Sequence, residues 1–261
     1  MRTHISFSEL KNWNDCPYKH KLIYIDKIKE FVGNEHTAFG HAIHDTCEEL
    51  LLSGDFDTTP FFKHKFMSRL EDLRHKGVEF KSDLVKSMWA QGPNLPDGFL
   101  AALKDYVGDC ETYATEYELY EELEHPDGEE LFFKGYIDAV LKTKDGKYHI
   151  FDWKTCSWGW DSKRKTDRMT TYQLTLYKHF FAVKNNIDPS MIETHFGLLK
   201  RTAKKNRIEM FKVPTGEKKI ENALKLLQKA IYNIAKEKYI KNRLSCTSGY
   251  GCEFFDTKHC R

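Results

Sequence analysis

The chain has 261 residues, a formal net charge of +2, and is 40% hydrophobic and 31% charged. That balance excludes an intrinsically disordered chain and suits one sizeable domain. No apolar run approaches the ~20 residues that span a bilayer, the first ten residues lack a signal-type apolar stretch, and near-neutrality leaves any polyanion binding to a local patch. A cytoplasmic protein is the simplest expectation.

Ser6-Phe7-Ser8-Glu9 has the capping-box form, so a short helix should follow and end near Cys16-Pro17. Phe39, Ile43, Cys47, Leu50 and Leu51 recur at helical spacing and predict a helix over 38–52, stopped by Gly54. Residues 61–75 read as helix, 91–96 as loop, and 97–120 as a further helix with Leu100, Leu103, Val107 and Tyr113 inward. Together, residues 53–117 read as a helical insertion over the core.

The pattern then changes. Residues 131–142 are strand-like, and Asp145-Gly146 is a strong hairpin signal that returns the chain as a strand over 147–154. A helix is expected over 169–185, then two strands over 194–199 and 207–213 flanking a basic turn. A long amphipathic helix should run over 217–242, with Ile220, Leu224, Leu227, Ile231 and Ile234 buried. The tail from residue 243 is cysteine-rich and is expected to pack with the N-terminal segment. The order of helices, a small mixed sheet and more helices implies a single α/β (α+β) domain over 1–261.

The hairpin carries the chemistry. Asp152 and Lys154 are two apart in a strand and share a face. The turn lies near the midpoint between Asp138 and Asp152, so the two carboxylates can meet across the strand pair. Carboxylates brought together repel, and a divalent cation relieves the cost. Hard oxygen ligands suit Mg²⁺ or Mn²⁺, and an amine beside them can hold a water or stabilise charge on a phosphoryl group. The plain alternative is a surface hairpin with solvated charges.

Asp138 followed by Asp152-x-Lys154 resembles the PD-(D/E)xK nuclease superfamily, and more narrowly its RecB-type branch, which includes Cas4 and AddB nucleases and phage exonucleases. Two further marks of that branch stand in order: Gly40-His41-Ala42-Ile43-His44 upstream and Gln173-Leu174-Thr175-Leu176-Tyr177 downstream. The resemblance implies a restriction-endonuclease-like core. His44, Asp138, Asp152 and the Trp153 carbonyl would hold the metal, Lys154 would act on water, and Gln173 and Tyr177 would support the site. His41 is the neighbouring alternative to His44, and Glu118 would match an acidic residue that some relatives carry before the hairpin. The implied activity is that of a DNA exonuclease on single strands or ends, in replication, recombination or repair, in the host cytoplasm if phage-encoded. An inactive DNA-binding scaffold and an RNA-processing enzyme are the rivals.

Some relatives in that branch carry a [4Fe–4S] cluster on one N-terminal and three C-terminal cysteines. Cys16, Cys246, Cys252 and Cys260 match those locations, although their tail spacing is looser than the tightest version. Structural zinc is the alternative occupant. Cys47, Cys110 and Cys156 read as small buried hydrophobes. Trp153, Trp158, Trp160, Tyr172 and Arg168 cluster around the motif and could stack exposed bases, core packing being the alternative for Trp153 and Trp158. Lys163 and Arg164 are candidate phosphate contacts, as is the basic turn Lys200 to Arg207.

Overall fold

The computed structural model describes residues 3–28, 32–248 and 251–261; of the cysteine-rich tail, residues 249–250 fall outside these. In chain order the elements are β1 (His4–Ser6), α1 (Phe7–Asp15), α2 (Pro17–His20), α3 (Glu35–Ser53), α4 (Thr58–His75), α5 (Ser82–Gln91), α6 (Phe99–Val107), β2 (Cys110–Glu122), β3 (Phe132–Thr143), β4 (Tyr148–Cys156), α7 (Ser162–Thr166), α8 (Arg168–Asn185), β5 (Ile192–Lys200), β6 (Ile208–Lys212) and α9 (Glu217–Ala235). The strands form a six-stranded mixed sheet in the order β1-β3-β4-β5-β6, with β2 also paired to β3. This is the expected α/β class. The chain divides into two compact units.

One unit spans residues 32–118 and 136–216. In it β3 and β4 pair antiparallel, β4 and β5 parallel, and β5 and β6 antiparallel. β4 is therefore central, and its run from His149 to Trp153 is buried throughout, as a strand flanked on both sides and covered on both faces should be. Phe151 and Trp153 share a core with Phe39 and Ile43 of α3, Phe62 and Phe66 of α4, Met88 of α5 and Phe99 and Leu103 of α6. These four helices cover one face. The other carries Ile150, Asp152 and Lys154 and is met by α8, which reaches Asp152 through Gln173. Asn34 caps α3 with a reciprocal bond to Thr37, and Asp167 caps α8.

Gly197 of β5 lies directly beneath the Trp153 ring. A Cβ built there would stand 2.2 Å from the indole, so no side chain fits without displacing the residue between Asp152 and Lys154. Gly197→Ala is expected to cost about 1–3 kcal/mol by overpacking, visible as a lower urea midpoint at unchanged m-value. An unaltered midpoint would show that the ring moves freely.

The other unit comprises the described residues of 1–31, 119–135 and 217–261. There β1 pairs parallel with the start of β3, and α1 packs against β1 and α9. A fully buried ion-pair contact, His20 Nε2 to Glu9 Oε1 at 2.6 Å, ties α2 to α1. The tail returns to the first helices: the Tyr18 hydroxyl donates to the His259 carbonyl at 3.2 Å, and Lys19 pairs with Glu253 at 3.0 Å.

Two expected elements differ. The helix read over 97–120 ends at Val107, and Cys110–Glu122 is strand β2. Gly108 sits at φ +89°, which halts the helix, and the Thr- and Tyr-rich run beyond alternates in burial with the period of a strand. The long last helix stops at Ala235 rather than 242, where Glu237 takes a left-handed φ of +51°. Its buried residues are Ala223, Leu227, Ala230 and Ile231; Ile220, Leu224 and Ile234 are less covered than expected. Finally, β1 and α5 carry too few residues of clear period to have been read.

Candidate active site

Asp138 and Asp152 face each other at the point where the β3–β4 ladder ends. The paired register runs from Lys142↔Tyr148 to Ala139↔Phe151, and the next pair would be Asp138 and Asp152. The Asp138 side chain takes over from the backbone there: its Oδ2 accepts a hydrogen bond from the Trp153 amide at 2.6 Å. Asp152 is 1% exposed, and its Oδ1 accepts from Gln173 Nε2 at 2.7 Å. The same Gln173 nitrogen donates to the Tyr177 hydroxyl at 3.2 Å, so two residues one helical turn apart act as a single strut.

Lys154 forms an ion pair with Asp152 Oδ2. That oxygen is buried and receives no well-directed hydrogen bond. His44 Nδ1 lies 3.5 Å from Asp138 Oδ2, delivered by α3. Gly40, one turn earlier, lets α3 approach β4: a Cβ there would meet the Thr155 hydroxyl at 3.3 Å. His41 is exposed and lies near Arg69 and Asp45, so His44 is the histidine brought to the carboxylates.

Burial pushes both carboxyls up, Asp138 to about 6 and Asp152 to about 6, against the pull of the Lys154 ammonium. Burial and the same ammonium push His44 down to about 4, leaving a neutral imidazole at pH 7. For Lys154, burial alone would lower the pKa, but the Asp152 and Asp138 carboxylates outweigh it and raise it. Lys154 is therefore a cation and a hydrogen-bond donor in this charge set, not a base.

Two further acids look into the site and were not singled out from the sequence. Glu48 stands one turn beyond His44 on α3 and accepts a hydrogen bond from the Thr115 hydroxyl at 2.8 Å; its spacing from His44 was a readable signal. Glu116 sits within β2 at a left-handed φ of +43°, a strained conformation for a side-chain-bearing residue. Burial, Asp138 and Glu48 push its carboxyl up to about 7. No sequence signal marked it, since its segment reads as helix. Glu118, the residue that was singled out, instead accepts a hydrogen bond from the exposed Tyr136 hydroxyl at 2.8 Å.

The surroundings divide. Trp158 is 77% exposed, and Lys163, Arg164 and Arg168 are exposed on α7 and at the start of α8. Arg164 lies over the Trp160 ring at 4.4 Å. Tyr172 is a correction: its ring is buried with Arg168 over it at 5.9 Å, so it can offer a base the guanidinium but not its own face. Trp153 is likewise core, stacked on Phe151. In the basic turn, Arg201 donates to Gln91 at 2.6 Å and Arg207 to the Asn94 carbonyl at 2.9 Å. Those two cations brace the segment read as an insertion.

The four expected cysteines line one cavity of about 160 Å³ in the other unit. The Cys246 thiol is raised, by desolvation and then by Cys252, Cys260 and Cys16. The Asn242 amide donates to Cys16 Sγ at 3.3 Å and the Cys252 amide to the Cys246 carbonyl at 2.9 Å. Among the described residues no three of these sulfurs lie within 4.8 Å of one another. Cys47 is fully buried, while Cys110 and Cys156 are half-buried.

A mixed sheet whose central hairpin pairs a buried carboxylate with a partly buried one, with a lysine two residues on, defines the restriction-endonuclease-like class. The chain belongs to the PD-(D/E)XK nuclease superfamily, whose family model matches residues 4–257. No curated protein is similar enough in sequence to match. The fold is similar to that of an inferred exonuclease from Eubacterium rectale, with a TM-score of 0.54 at 9% identity over 94% of this chain and 86% of that one. Two other solved structures score too low to bear on the fold. SSO0001 has a TM-score of 0.42 at 14% identity, covering 89% of this chain and 77% of its own. LHK-Exo in complex with dAMP has 0.28 at 9% identity, covering 77% and 93%.

Proposed function

We propose that the protein is a divalent-metal-dependent deoxyribonuclease that trims DNA from single strands or ends. The observation that carries this reading is the convergence of Asp138, Asp152, Lys154 and the neutral His44 at the split end of the β3–β4 ladder. The donor set fits a hard cation. Two carboxyls that burial holds near 6, with only the Lys154 ammonium beside them among the described residues, form a charge set that a bound cation would complete.

Asp138, Asp152, His44 and the Trp153 carbonyl would hold Mg²⁺ or Mn²⁺, with Glu116 and Glu48 close enough to add charge. When bound, such an ion neutralises the scissile phosphate and makes water acidic enough to attack near neutral pH. Gln173 fixes the rotamer of Asp152 and is itself held by Tyr177. The Lys154 ammonium donates toward the charge that builds on the phosphoryl oxygens. Trp158 and the exposed cations Lys163, Arg164 and Arg168 suit a flexible single strand, stacking a base and holding phosphates without reading sequence.

Strands labelled at either end, incubated with Mn²⁺ or Mg²⁺, test this directly and report direction of attack. Parallel duplex DNA and RNA substrates belong in the same experiment. Metal-dependent shortening of DNA from one terminus is expected. No cleavage under any metal, or a clear preference for RNA, would remove the proposal.

The cysteine cavity supports a second metal group on Cys16, Cys246, Cys252 and Cys260. A tetrahedral zinc with Zn–S of about 2.3 Å would draw the sulfurs to ~3.8 Å apart. The placing of one N-terminal and three C-terminal cysteines, as in the relatives that carry a [4Fe–4S] cluster, makes that cluster the occupant we propose. Anaerobically purified protein should be brown and carry about four irons per chain for such a cluster. Colourless protein with one zinc would reverse the assignment.

A further inference from the structure

A second group of metal-ligating side chains lies on β4 and β5, on the opposite sheet face from Asp152 and Lys154. Among the described residues, His149, Glu193 and His195 are the trio whose ligand atoms all fall within 4.8 Å of one another. The register pairs His149 with Glu193 across the parallel strands, and His195 is two residues further along β5. His149 Nδ1 and His195 Nε2 are 3.1 Å apart. Two nitrogens bound to one tetrahedral zinc at about 2.0–2.1 Å would be ~3.3 Å apart, so the pair needs almost no movement to share an ion.

An outer partner is also in place. His195 Nδ1 lies 3.1 Å from the Tyr106 hydroxyl, and the tautomer that donates Nδ1–H to that oxygen leaves the Nε2 lone pair toward His149 and the ion. Such outer partners are the usual device for orienting a ligand histidine. The rings are fixed by stacking, His195 on Phe151 at 4.7 Å and on His149 at 5.2 Å. Burial holds both imidazoles below their ordinary pKa, His195 at about 3, so both are neutral and ready to ligate at pH 7. The group opens onto a cavity of about 610 Å³ lined also by Tyr106, Asp109, Lys147 and Lys212, which leaves room for a fourth ligand.

We propose that His149, His195 and Glu193 form a binding site for a zinc-class transition metal, distinct from the nuclease centre. Two imidazoles and one carboxylate suit Zn²⁺, Co²⁺ or Ni²⁺ better than Mg²⁺. The strand rise of about 3.3 Å per residue sets His149 roughly 10 Å along β4 from Asp152, so the two sites cannot share an ion. Lys212 competes for the third ligand: its Nζ sits 2.8 Å from Glu193 Oε1, and the ion must displace it.

Co²⁺ is the probe. Untagged protein with its cysteine group already filled, and carrying Asp152→Asn to disable the carboxylate centre, is titrated with Co²⁺ while visible absorption and heat of binding are followed. One equivalent is expected to bind with ligand-field bands but without the intense charge transfer of thiolate ligation. Loss of a ligand should exceed the 10- to 100-fold cost of losing an outer-shell partner, so Glu193→Gln should weaken Co²⁺ by at least about 100-fold. Glu193 is only partly buried, so this variant disturbs the fold less than replacing either buried histidine. Lys212→Ala should tighten binding, a change that a merely structural role for the trio would not produce. Absence of the thiolate-free bands, or Co²⁺ affinity unmoved by both substitutions, would overturn the site. Neither outcome depends on whether the protein cuts DNA.

Discussion

Asp152→Asn is expected to lower cleavage by at least about 10³-fold while leaving the protein folded. Metal-assisted charge stabilisation is worth several kcal/mol, and each 1.36 kcal/mol is tenfold in rate. Asp152 holds the centre together: it pairs with Lys154, receives Gln173, and is 1% exposed. Asparagine keeps the shape and can still accept the Gln173 bond, so far-ultraviolet dichroism should be unchanged. Lys154→Met removes the cation alone and should cost about 10²–10³-fold, the usual range for one preorganised charge donor. Single-turnover rates at saturating Mn²⁺ separate the two, because Lys154→Met should retain metal affinity and Asp152→Asn should not. If both variants cut at the wild-type rate, the acid–acid–lysine set is not the reacting centre.

Asp138→Asn should stabilise the metal-free protein above pH 6, by an amount on the order of 3 kcal/mol. The folded-state pKa of Asp138 is about 6 against an ordinary 3.8, burial outweighing Lys154 and the Trp153 amide. The native state thus holds this proton more tightly than the unfolded chain does, and the charged form costs stability once pH exceeds the ordinary value. That cost grows as pH rises from about 4 to about 6 and is complete above it. The asparagine variant escapes the cost yet can still accept the Trp153 amide bond. The difference in melting temperature between variant and wild type should therefore be near zero at pH 4, widen to about pH 6 and then level. Comparing the two proteins cancels the opposite-signed contributions of His44 and His195. Added Mg²⁺ should reverse the order, since only the wild type gains binding energy. A pH-independent difference would mean that Asp138 is not charged at a cost.

Much of this site was legible because strand geometry is simple. Residues two apart share a face, and the turn over residues 144–146, closed by the Thr143–Lys147 bond, centres the hairpin on Asp145, so the meeting of Asp138, Asp152 and Lys154 was readable from the hairpin. Gln173 and Tyr177 came from the resemblance to the RecB-type branch, helical spacing adding only that they share a face. Glu116 did not, because it depends on a left-handed residue within a strand whose neighbours, from Leu100 to Val107, carry a genuine helical period. That period ends at Gly108, but a single glycine looks the same whether it closes a helix or interrupts one. The His149–Glu193–His195 group was hidden for another reason: it arises from parallel pairing of strands more than 40 residues apart, and parallel register leaves no mark at the turn. Tyr172 shows the limit of proximity in sequence. It neighbours Gln173, yet the helix rotates it inward.

The hydrogen bond from the Trp153 amide to Asp138 has a practical use. A backbone nitrogen that leans on a carboxylate proposed to hold the metal senses every change in that carboxylate's charge. In a ¹⁵N-labelled sample, the peak of this one amide should travel as the cation is loaded, protonated away or exchanged for another. Occupancy could then be followed without substrate, through the main chain itself.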